Sequence, residues 1–157
     1  MIPLTPCYLF DIDGTLADLS HRLHFIKPDF DNPGMLPPKD WNAFYAACVR
    51  DKPIEPICDL ARTLSSHAAI VLVSGRSDRV WVETERWIAS RARLSYARLY
   101  MRREGDDRPD YIVKGELLDQ IIADGWWPLM AFDDRSRVVK MFRDHGIPCA
   151  QVAEGDF

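Results

Sequence analysis

The chain has 157 residues and a mass of 18.1 kDa, which is the size of one domain. Its 47% hydrophobic and 28% charged residues exclude a collagen-like, coiled-coil or wholly disordered chain, and its net charge of −4 argues against indiscriminate binding of nucleic acid. The longest apolar run, 68–73, is too short to cross a bilayer, so no membrane partner is expected. Because no secretory signal is visible, we expect a cytoplasmic protein with four reduced cysteines.

Apolar runs alternate with amphipathic stretches along most of the chain, and this alternation predicts strands separated by helices. The predicted strands are 7–10, 69–73, 98–101, 129–132 and 149–152. The predicted helices are 54–66, 78–91, 110–123 and 136–145. Because strands that are apolar throughout indicate a parallel sheet covered on both faces, we predict an α/β fold. Residues 1–157 would form one domain around a doubly wound, Rossmann-like parallel sheet of five strands.

The stretch from about residue 19 to residue 56 differs in composition from the rest of the chain. It holds six of the eleven prolines. Proline fixes φ and removes a hydrogen-bond donor, so we predict loops and short helices here. One such helix is predicted over Lys39–Val49, with Asp40 as its N-cap. The stretch is therefore interpreted as an insertion in the fold.

Polar residues follow the predicted strands where a site is expected. The first strand is followed by Asp11–Thr15 (DIDGT), the second by Ser74–Arg76 (SGR), and the fourth by Asp133 and Asp134, while Lys114 lies in the helix after the third strand. In open parallel sheets, ligands bind beyond the carboxyl ends of the strands. We therefore expect these groups to meet at one edge of the sheet.

Two pairs of aspartates would share that edge, namely Asp11 with Asp13 and Asp133 with Asp134. Two unit charges 4 Å apart repel each other by roughly 4 kcal/mol at an effective dielectric constant near 20. A divalent cation would remove this repulsion, and oxygen ligands without histidine or cysteine indicate Mg²⁺. The alternative, that these aspartates only cap helices, suits one aspartate better than two pairs.

The motifs as a set resemble the haloacid dehalogenase superfamily. Its four signature motifs are similar to DIDGTL at 11–16, Ser74, Lys114 and the pair Asp133-Asp134. Dehalogenases of the superfamily lack an acid two residues after the nucleophile, whereas phosphatases have one, and here it is Asp13. The resemblance therefore implies hydrolysis of phosphate esters.

The same resemblance implies roles for individual residues. Asp11 would attack phosphorus and form an aspartyl-phosphate, while Asp13 would protonate the leaving alkoxide and later take a proton from water. Ser74 and Lys114 would hold phosphate oxygens, and Thr15 of the DIDGT loop is a further substrate-binding candidate. The implied Mg²⁺ ligands are Asp11, the backbone carbonyl of Asp13, Asp133 and, directly or through water, Asp134.

A narrower resemblance extends over about 5–18 and 69–157. These parts look like the 3′-phosphatase domain of bacteriophage polynucleotide kinase, in segments 74–76, 101–108, 110–114, 132–135, 138–143 and 151–157. The resemblance implies removal of 3′-phosphates, and of 2′,3′-cyclic phosphates, from nucleic-acid ends. Gly75 and Arg76 would then bind the substrate phosphate. Asp110 would orient Lys114, its neighbour four residues along one helix, or Arg76.

Two departures from that family leave alternatives open. These 157 residues contain no G-x-x-x-x-G-K-[ST] phosphate loop, so we do not expect a 5′-kinase activity from them. The insertion at about 19–56 occupies the place of a small cap, which decides whether polymer ends or small metabolites reach the site. Phosphatases of free nucleotides or other small phosphoesters, and a non-catalytic module that binds phosphorylated ends, therefore stay as alternatives. The choice between RNA and DNA, a separate kinase or ligase partner, and the oligomeric state are also open.

Some side chains of the insertion are candidates for contact with substrate. His21 and His24 lack a third ligand for a metal, but they follow the DIDGT loop closely. Trp41, Phe44 and Tyr45 are the better candidates for stacking on a base, although core packing is the expected role for two of these three.

Overall fold

The computed structural model describes residues 4–27 and 38–155. The strands are β1 (Thr5–Phe10), β2 (Ala17–Asp18), β3 (Lys52–Pro53), β4 (Ala69–Ser77), β5 (Arg98–Arg102), β6 (Trp126–Asp133) and β7 (Cys149–Gln151). Five of them form one sheet in the order β5-β4-β1-β6-β7, and all neighbours in it are parallel. The predicted five-stranded, doubly wound α/β fold is confirmed.

Helices connect these strands on both sides of the sheet. The α-helices are α1 (Trp41–Ala46), α2 (Glu55–Leu64), α3 (Trp81–Trp87), α4 (Asp110–Ala123) and α5 (Ser136–Asp144). Three of the predicted helices, those ending in Ser66, Ala123 and His145, are found within two residues of their predicted ends. The predicted helix 78–91 is divided, because a 3₁₀ turn precedes α3 and a π-helical turn at Ile88–Ala92 follows it.

The sheet buries both of its faces. Phe10 and Leu72 point to one layer, where they pack with Trp87 and other fully buried side chains. Leu9 and Val71, their neighbours along the strands, point to the other layer. Each large apolar side chain removed from water contributes about 1.5–3 kcal/mol, so the two layers together supply most of the driving force for folding. This double burial explains why the strands are apolar throughout.

Part of the insertion packs onto the domain through a short strand pair that the sequence did not predict. β2 and β3 are antiparallel and align Ala17 with Pro53 and Asp18 with Lys52. Between them lie a 3₁₀ helix, Ser20–Phe25, and α1, which continues as a 3₁₀ turn. Asp40 caps α1 by accepting a hydrogen bond from the Ala43 amide at 2.9 Å, as predicted. Residues 28–37, within the predicted insertion, lie outside the described residues.

All four cysteines are buried and unpaired, as expected for reduced thiols. In the described part of the chain, none of the helices combines the length and the apolar character needed to cross a membrane.

Candidate active site

The carboxyl edge of the sheet brings together four of the predicted site residues. Asp11 directly follows β1, Asp133 ends β6 and Lys114 lies in the second turn of α4. The Lys114 ammonium donates hydrogen bonds to Asp11 Oδ1 at 2.7 Å and to Asp133 Oδ2 at 2.6 Å. These three residues and Asp134 are each at most 3% exposed. The expectation that these polar side chains meet at the carboxyl edge of the sheet therefore holds for their positions.

The electrostatics of this cluster follow from burial and from the excess of acids. Burial raises the pKa of Asp11, and the neighbouring carboxylates of Asp133 and Asp134 raise it further, against the Lys114 ammonium. Burial and Asp133 raise the pKa of Asp134 to about 7. Burial disfavours the Lys114 charge, but Asp11 and Asp133 outweigh it and raise the pKa of Lys114. One cation thus compensates three buried carboxyl groups only in part.

The residues present fit a magnesium ion. Carboxylate oxygens of Asp11, Asp133 and Asp134 lie within 4.8 Å of one another. Asp134 Oδ1 is buried and has no hydrogen-bond partner in the described part of the chain, so a cation would satisfy an otherwise orphaned oxygen. Gly155 covers the same carboxylate so closely that a Cβ there would overlap Asp134. An all-oxygen donor set of this kind suits Mg²⁺.

Asp13, predicted as a ligand and as the acid, has its side chain outside this oxygen cluster. Its Oδ1 accepts hydrogen bonds from Arg22 Nη2 at 2.6 Å and from Arg76 Nε and Nη2 at 2.9 and 2.6 Å. Burial raises the pKa of Asp13, but the two guanidinium groups outweigh burial and lower it to about 2. The Asp13 carboxylate is therefore ionised at neutral pH in this arrangement, and only its backbone oxygen stays a candidate metal ligand.

A second buried carboxylate completes this arginine pair. Asp51, fully buried, accepts from Arg22 Nε at 2.8 Å and from Arg22 Nη2 and Arg76 Nη2, each at 2.7 Å. His21 Nε2 lies 2.8 Å from Asp51 Oδ1, the oxygen that also accepts from Arg22 Nε. No sequence motif identifies Arg22 or Asp51 as part of this network, although His21 is a candidate for contact with substrate. Both lie in the insertion, where no periodicity marks an inward-facing residue.

The predicted phosphate-binding loop lies at the end of β4. Ser74 is fully buried, and its Oγ accepts a hydrogen bond from the Arg76 amide at 3.2 Å. The register of β4 against β5 shifts between Ser74 and Ser77, which brings Gly75 and Arg76 into the site. Thr15 Oγ1 is buried and has no hydrogen-bond partner within the residues described.

The predicted pairing of Asp110 with Lys114 or Arg76 is wrong. Asp110 is near enough to raise the pKa of Lys114, yet its own ion pairs go to Arg102 and to Arg135 Nη1, the latter at 3.0 Å. It also lies against Gly75, where a Cβ would come 2.5 Å from Asp110 Oδ1. Asp110 therefore holds the cavity wall beside the β4 loop rather than orienting the lysine.

A cavity of about 500 Å³ opens onto this cluster. Its floor includes Asp11 and Asp13. One wall is α1 with Trp41 and Tyr45, and the other is the loop 103–109 after β5. Phe44 is 2% exposed, Tyr45 is half-buried and Trp41 is 41% exposed, yet all three line the cavity. Only Phe44 is fully buried, whereas core packing was expected for two of the three.

Known proteins resemble this chain in fold and sequence. It superimposes on a chain of the Pnkp1/Rnl/Hen1 RNA repair complex with a TM-score of 0.79 and 29% identity, over 98% of this chain and 44% of that one. A protein of Autographa californica nuclear polyhedrosis virus, assigned as a bifunctional polynucleotide kinase/RNA ligase, is 30% identical over 142 residues, which are 89% of this chain and 18% of that protein. The chain therefore spans less than half the length of these relatives.

A further likeness concerns the fold alone. A haloacid dehalogenase family enzyme of Bacteroides thetaiotaomicron, solved with magnesium and inorganic phosphate, matches with a TM-score of 0.57 and 16% identity, over 98% of this chain and 96% of that one. The model of the phosphatase domain of polynucleotide kinase PNKP matches residues 38–157. With the carboxylate cluster of the site, this match shows that the chain belongs to the PNKP phosphatase-domain family of haloacid dehalogenase-type phosphoric monoester hydrolases.

Proposed function

We propose that this phosphatase removes the terminal 3′-phosphate from nucleic-acid ends, and that it depends on Mg²⁺. The observation that carries the proposal is the buried cluster of Asp11, Lys114, Asp133 and Asp134 beneath the floor of a cavity with arginines on its wall. Membership of the PNKP phosphatase-domain family supports a polynucleotide as the carrier of the phosphate.

The proposed reaction has two displacements at phosphorus. An Asp11 carboxylate oxygen attacks phosphorus, and the bond from phosphorus to the 3′-oxygen breaks. The leaving alkoxide takes a proton from Asp13, which then accepts a proton from the water that hydrolyses the aspartyl-phosphate. Inorganic phosphate leaves and the Asp11 carboxylate is restored. Lys114 and Ser74 hold phosphate oxygens during both displacements.

The arginine pair would control which protonation state Asp13 adopts during the reaction. In the arrangement described, Arg22 and Arg76 keep its carboxylate ionised, which suits accepting a proton from water. A phosphate dianion beside Arg76 would compete with Asp13 for the guanidinium and raise the pKa of Asp13. Protonated Asp13 is the form that donates to the alkoxide.

The proposed ion would be held by Asp11, Asp133 and Asp134. When bound, Mg²⁺ would neutralise negative charge on the carboxylates and on the phosphate. The relatives also suggest a partner. The viral relative is assigned as both kinase and ligase, and Pnkp1 occurs in a complex with Rnl and Hen1, so we propose that the chain acts beside a kinase or ligase activity.

The test is phosphate release from an oligonucleotide with a 3′-phosphate, beside one with a 5′-phosphate and beside 3′- and 5′-mononucleotides. We expect release from the oligonucleotide 3′ end in Mg²⁺ and none with a chelator. Asp11→Asn, which keeps the volume but removes the nucleophile, should lower the rate at least ~10³-fold, an order-of-magnitude figure for removal of a nucleophile.

The outcomes separate the alternatives. Faster release from mononucleotides would replace the proposal with a nucleotidase whose insertion closes the site. Near-wild-type turnover by Asp11→Asn, with the circular dichroism of the wild type, would remove Asp11 as nucleophile. Binding without release from any substrate would leave an end-binding module.

A further inference from the structure

An aromatic platform forms one wall of the active-site cavity, apart from the carboxylate cluster. Trp41 of α1 lines the cavity and is 41% exposed. Its ring stacks against Tyr45 with centroids 5.9 Å apart and an interplanar angle of 29°. Buried Phe44 supports it edge-on, with centroids 5.6 Å apart. The Lys39 ammonium lies over the Trp41 ring, 5.7 Å from its centroid. The indole is therefore held by two rings and shares its surroundings with a lysine, while part of its surface stays exposed.

The platform is tied to the loop proposed to bind phosphate. The Tyr45 hydroxyl donates to the backbone oxygen of Gly75 at 3.4 Å. Gly75 lies between Ser74 and Arg76, so Trp41 has a fixed place relative to the reacting phosphate. Because Trp41 and Gly75 line the same cavity, one nucleotide could place its base on Trp41 and its phosphate at the loop.

Two guanidinium groups of the cavity wall have no carboxylate partner in residues 4–27 and 38–155. Arg79 donates to the neutral side chain of Asn42 at 2.7 Å. Within the same residues, the exposed Arg103 side chain forms neither an ion pair nor a hydrogen bond. By contrast, Arg102 is paired with Asp110. Arg79 and Arg103 are therefore available for an anion.

We propose that this wall is a subsite for the end of a single strand. The base of the terminal nucleotide stacks on Trp41, and Arg79 and Arg103 bind the adjacent internucleotide phosphate. This inference rests on the proposed function and adds that the terminal base must be unpaired. A cavity of about 500 Å³ suits one nucleotide rather than a base pair, since pockets of roughly 300–1,000 Å³ hold single small ligands. Stacking accepts every base, so sequence preference is weak.

The platform is tested with two single strands of equal length and a 3′-phosphate, one with a terminal base and one abasic at that nucleotide. The wild type should show a kcat/KM about 10- to 100-fold higher for the strand with the base, the range found for base–aromatic stacking. Trp41→Ala should remove that preference and Trp41→Phe should keep most of it. Trp127→Ala is the control, because Trp127 is 54% exposed at the opposite end of the sheet.

The arginine subsite is tested by salt dependence. Arg103→Gln should reduce the slope of log(kcat/KM) against log salt concentration by about 0.7 for a single strand, as expected when one phosphate is no longer neutralised. Arg91→Gln removes the same charge from an exposed position outside the cavity and should leave the slope unchanged.

The results distinguish this inference from the proposed function. If the wild type releases phosphate from no oligonucleotide 3′ end, the proposed function fails. If it releases phosphate equally from base-bearing and abasic ends, or if Trp41→Ala keeps the preference, the subsite is wrong and the phosphatase stands. An equal slope change in Arg103→Gln and Arg91→Gln would likewise overturn the proposed binding of the internucleotide phosphate.

Discussion

Two buried arginines share two carboxylates beside the proposed nucleophile. Arg22 and Arg76 are at most 1% exposed, and both donate to Asp13 and to Asp51. Two positive and two negative charges balance in this network. Both carboxylate oxygens of Asp51 accept hydrogen bonds from the arginines. Asp51 therefore stabilises the buried arginines, whereas Asp13 also lines the cavity. Asp51 is a positioning residue of the site and does not face the cavity itself.

Asp51→Asn should therefore destabilise the protein by about 3–5 kcal/mol, since removing one partner leaves an uncompensated buried charge. The measurement is urea unfolding, with the midpoint compared at constant slope. Asp144→Asn is the matched control, because Asp144 pairs only with exposed Lys140 among the described residues and such pairs contribute about 0–1 kcal/mol. Equal destabilisation in the two variants would show that the buried ion pairs of Asp51 stabilise the fold no more than an exposed pair does.

The residues of this site whose positions follow from the strands are predictable from the sequence. Asp11, Ser74 and Asp133 come at strand ends, and parallel strands must deliver them to one edge. Arg22 and Asp51 were missed because they come from 3₁₀ turns and a loop, where no repeat identifies the buried side. The partner of Asp110 was predicted wrongly, because guanidinium groups from other elements compete with the neighbour four residues along the helix.

The residues that follow two helices show how a single positive φ angle affects stability. α5 ends at Asp144, and Gly146 follows with φ +77°, as its position after the predicted helix suggested. The π-helical turn after α3 ends instead at Arg93, which has φ 49°. Glycine adopts positive φ without cost, whereas in other L-residues this conformation costs about 1–2 kcal/mol.

Exchanging these residues should have opposite effects. Gly146→Ala should lower the free energy of unfolding by about 1 kcal/mol through backbone strain alone, because no described atom lies within 4 Å of the added Cβ. Arg93→Gly should raise the free energy of unfolding by roughly 0.5 kcal/mol. Relief of the strained φ stabilises the native state, and the larger conformational entropy that glycine loses on folding offsets part of that gain. Urea unfolding measures both. A change of the same sign in the two variants would contradict the argument.

Element prediction failed where elements are short or irregular. A period of 3.6 cannot separate a regular helix from one with 3₁₀ and π turns at its ends, so 78–91 was predicted as one helix. β2 and β3 have two residues each, too few to show alternation. The long buried strands and α4 have strong apolar patterns, and their observed ranges include the predicted ones.

At the scale of the molecule, the insertion and the sheet form one charge network. The insertion supplies Arg22 and Asp51, and the sheet edge supplies Asp13 and Arg76. β2 and β3 anchor its two ends, and near them the amide at position 54 donates to the carbonyl at position 16 at 2.8 Å. The insertion therefore supplies half of the charge network beside the candidate site, so its removal should affect more than substrate choice.

Stability of the whole chain should depend on Mg²⁺, because three buried carboxyl groups face only one ammonium within the described residues. An ion that binds the native state at 100 times its Kd stabilises by about 2.7 kcal/mol. For a protein of this size that corresponds to a rise of roughly 5–10 °C in Tm. Thermal unfolding with and without Mg²⁺, at constant ionic strength, measures this without any turnover.

Asp134→Asn separates a specific ion site from general screening. The variant removes a buried carboxylate whose Oδ1 is unpartnered within the described residues, so it should be more stable than the wild type in chelator. It should also abolish most of the rise in Tm with Mg²⁺, whereas Asp144→Asn, at an exposed pair, should keep it. Equal responses of the two variants to Mg²⁺ would show that the ion acts elsewhere. A reduced response confined to Asp134→Asn would tie the stability of the fold to the same three carboxylates on which the proposed chemistry depends.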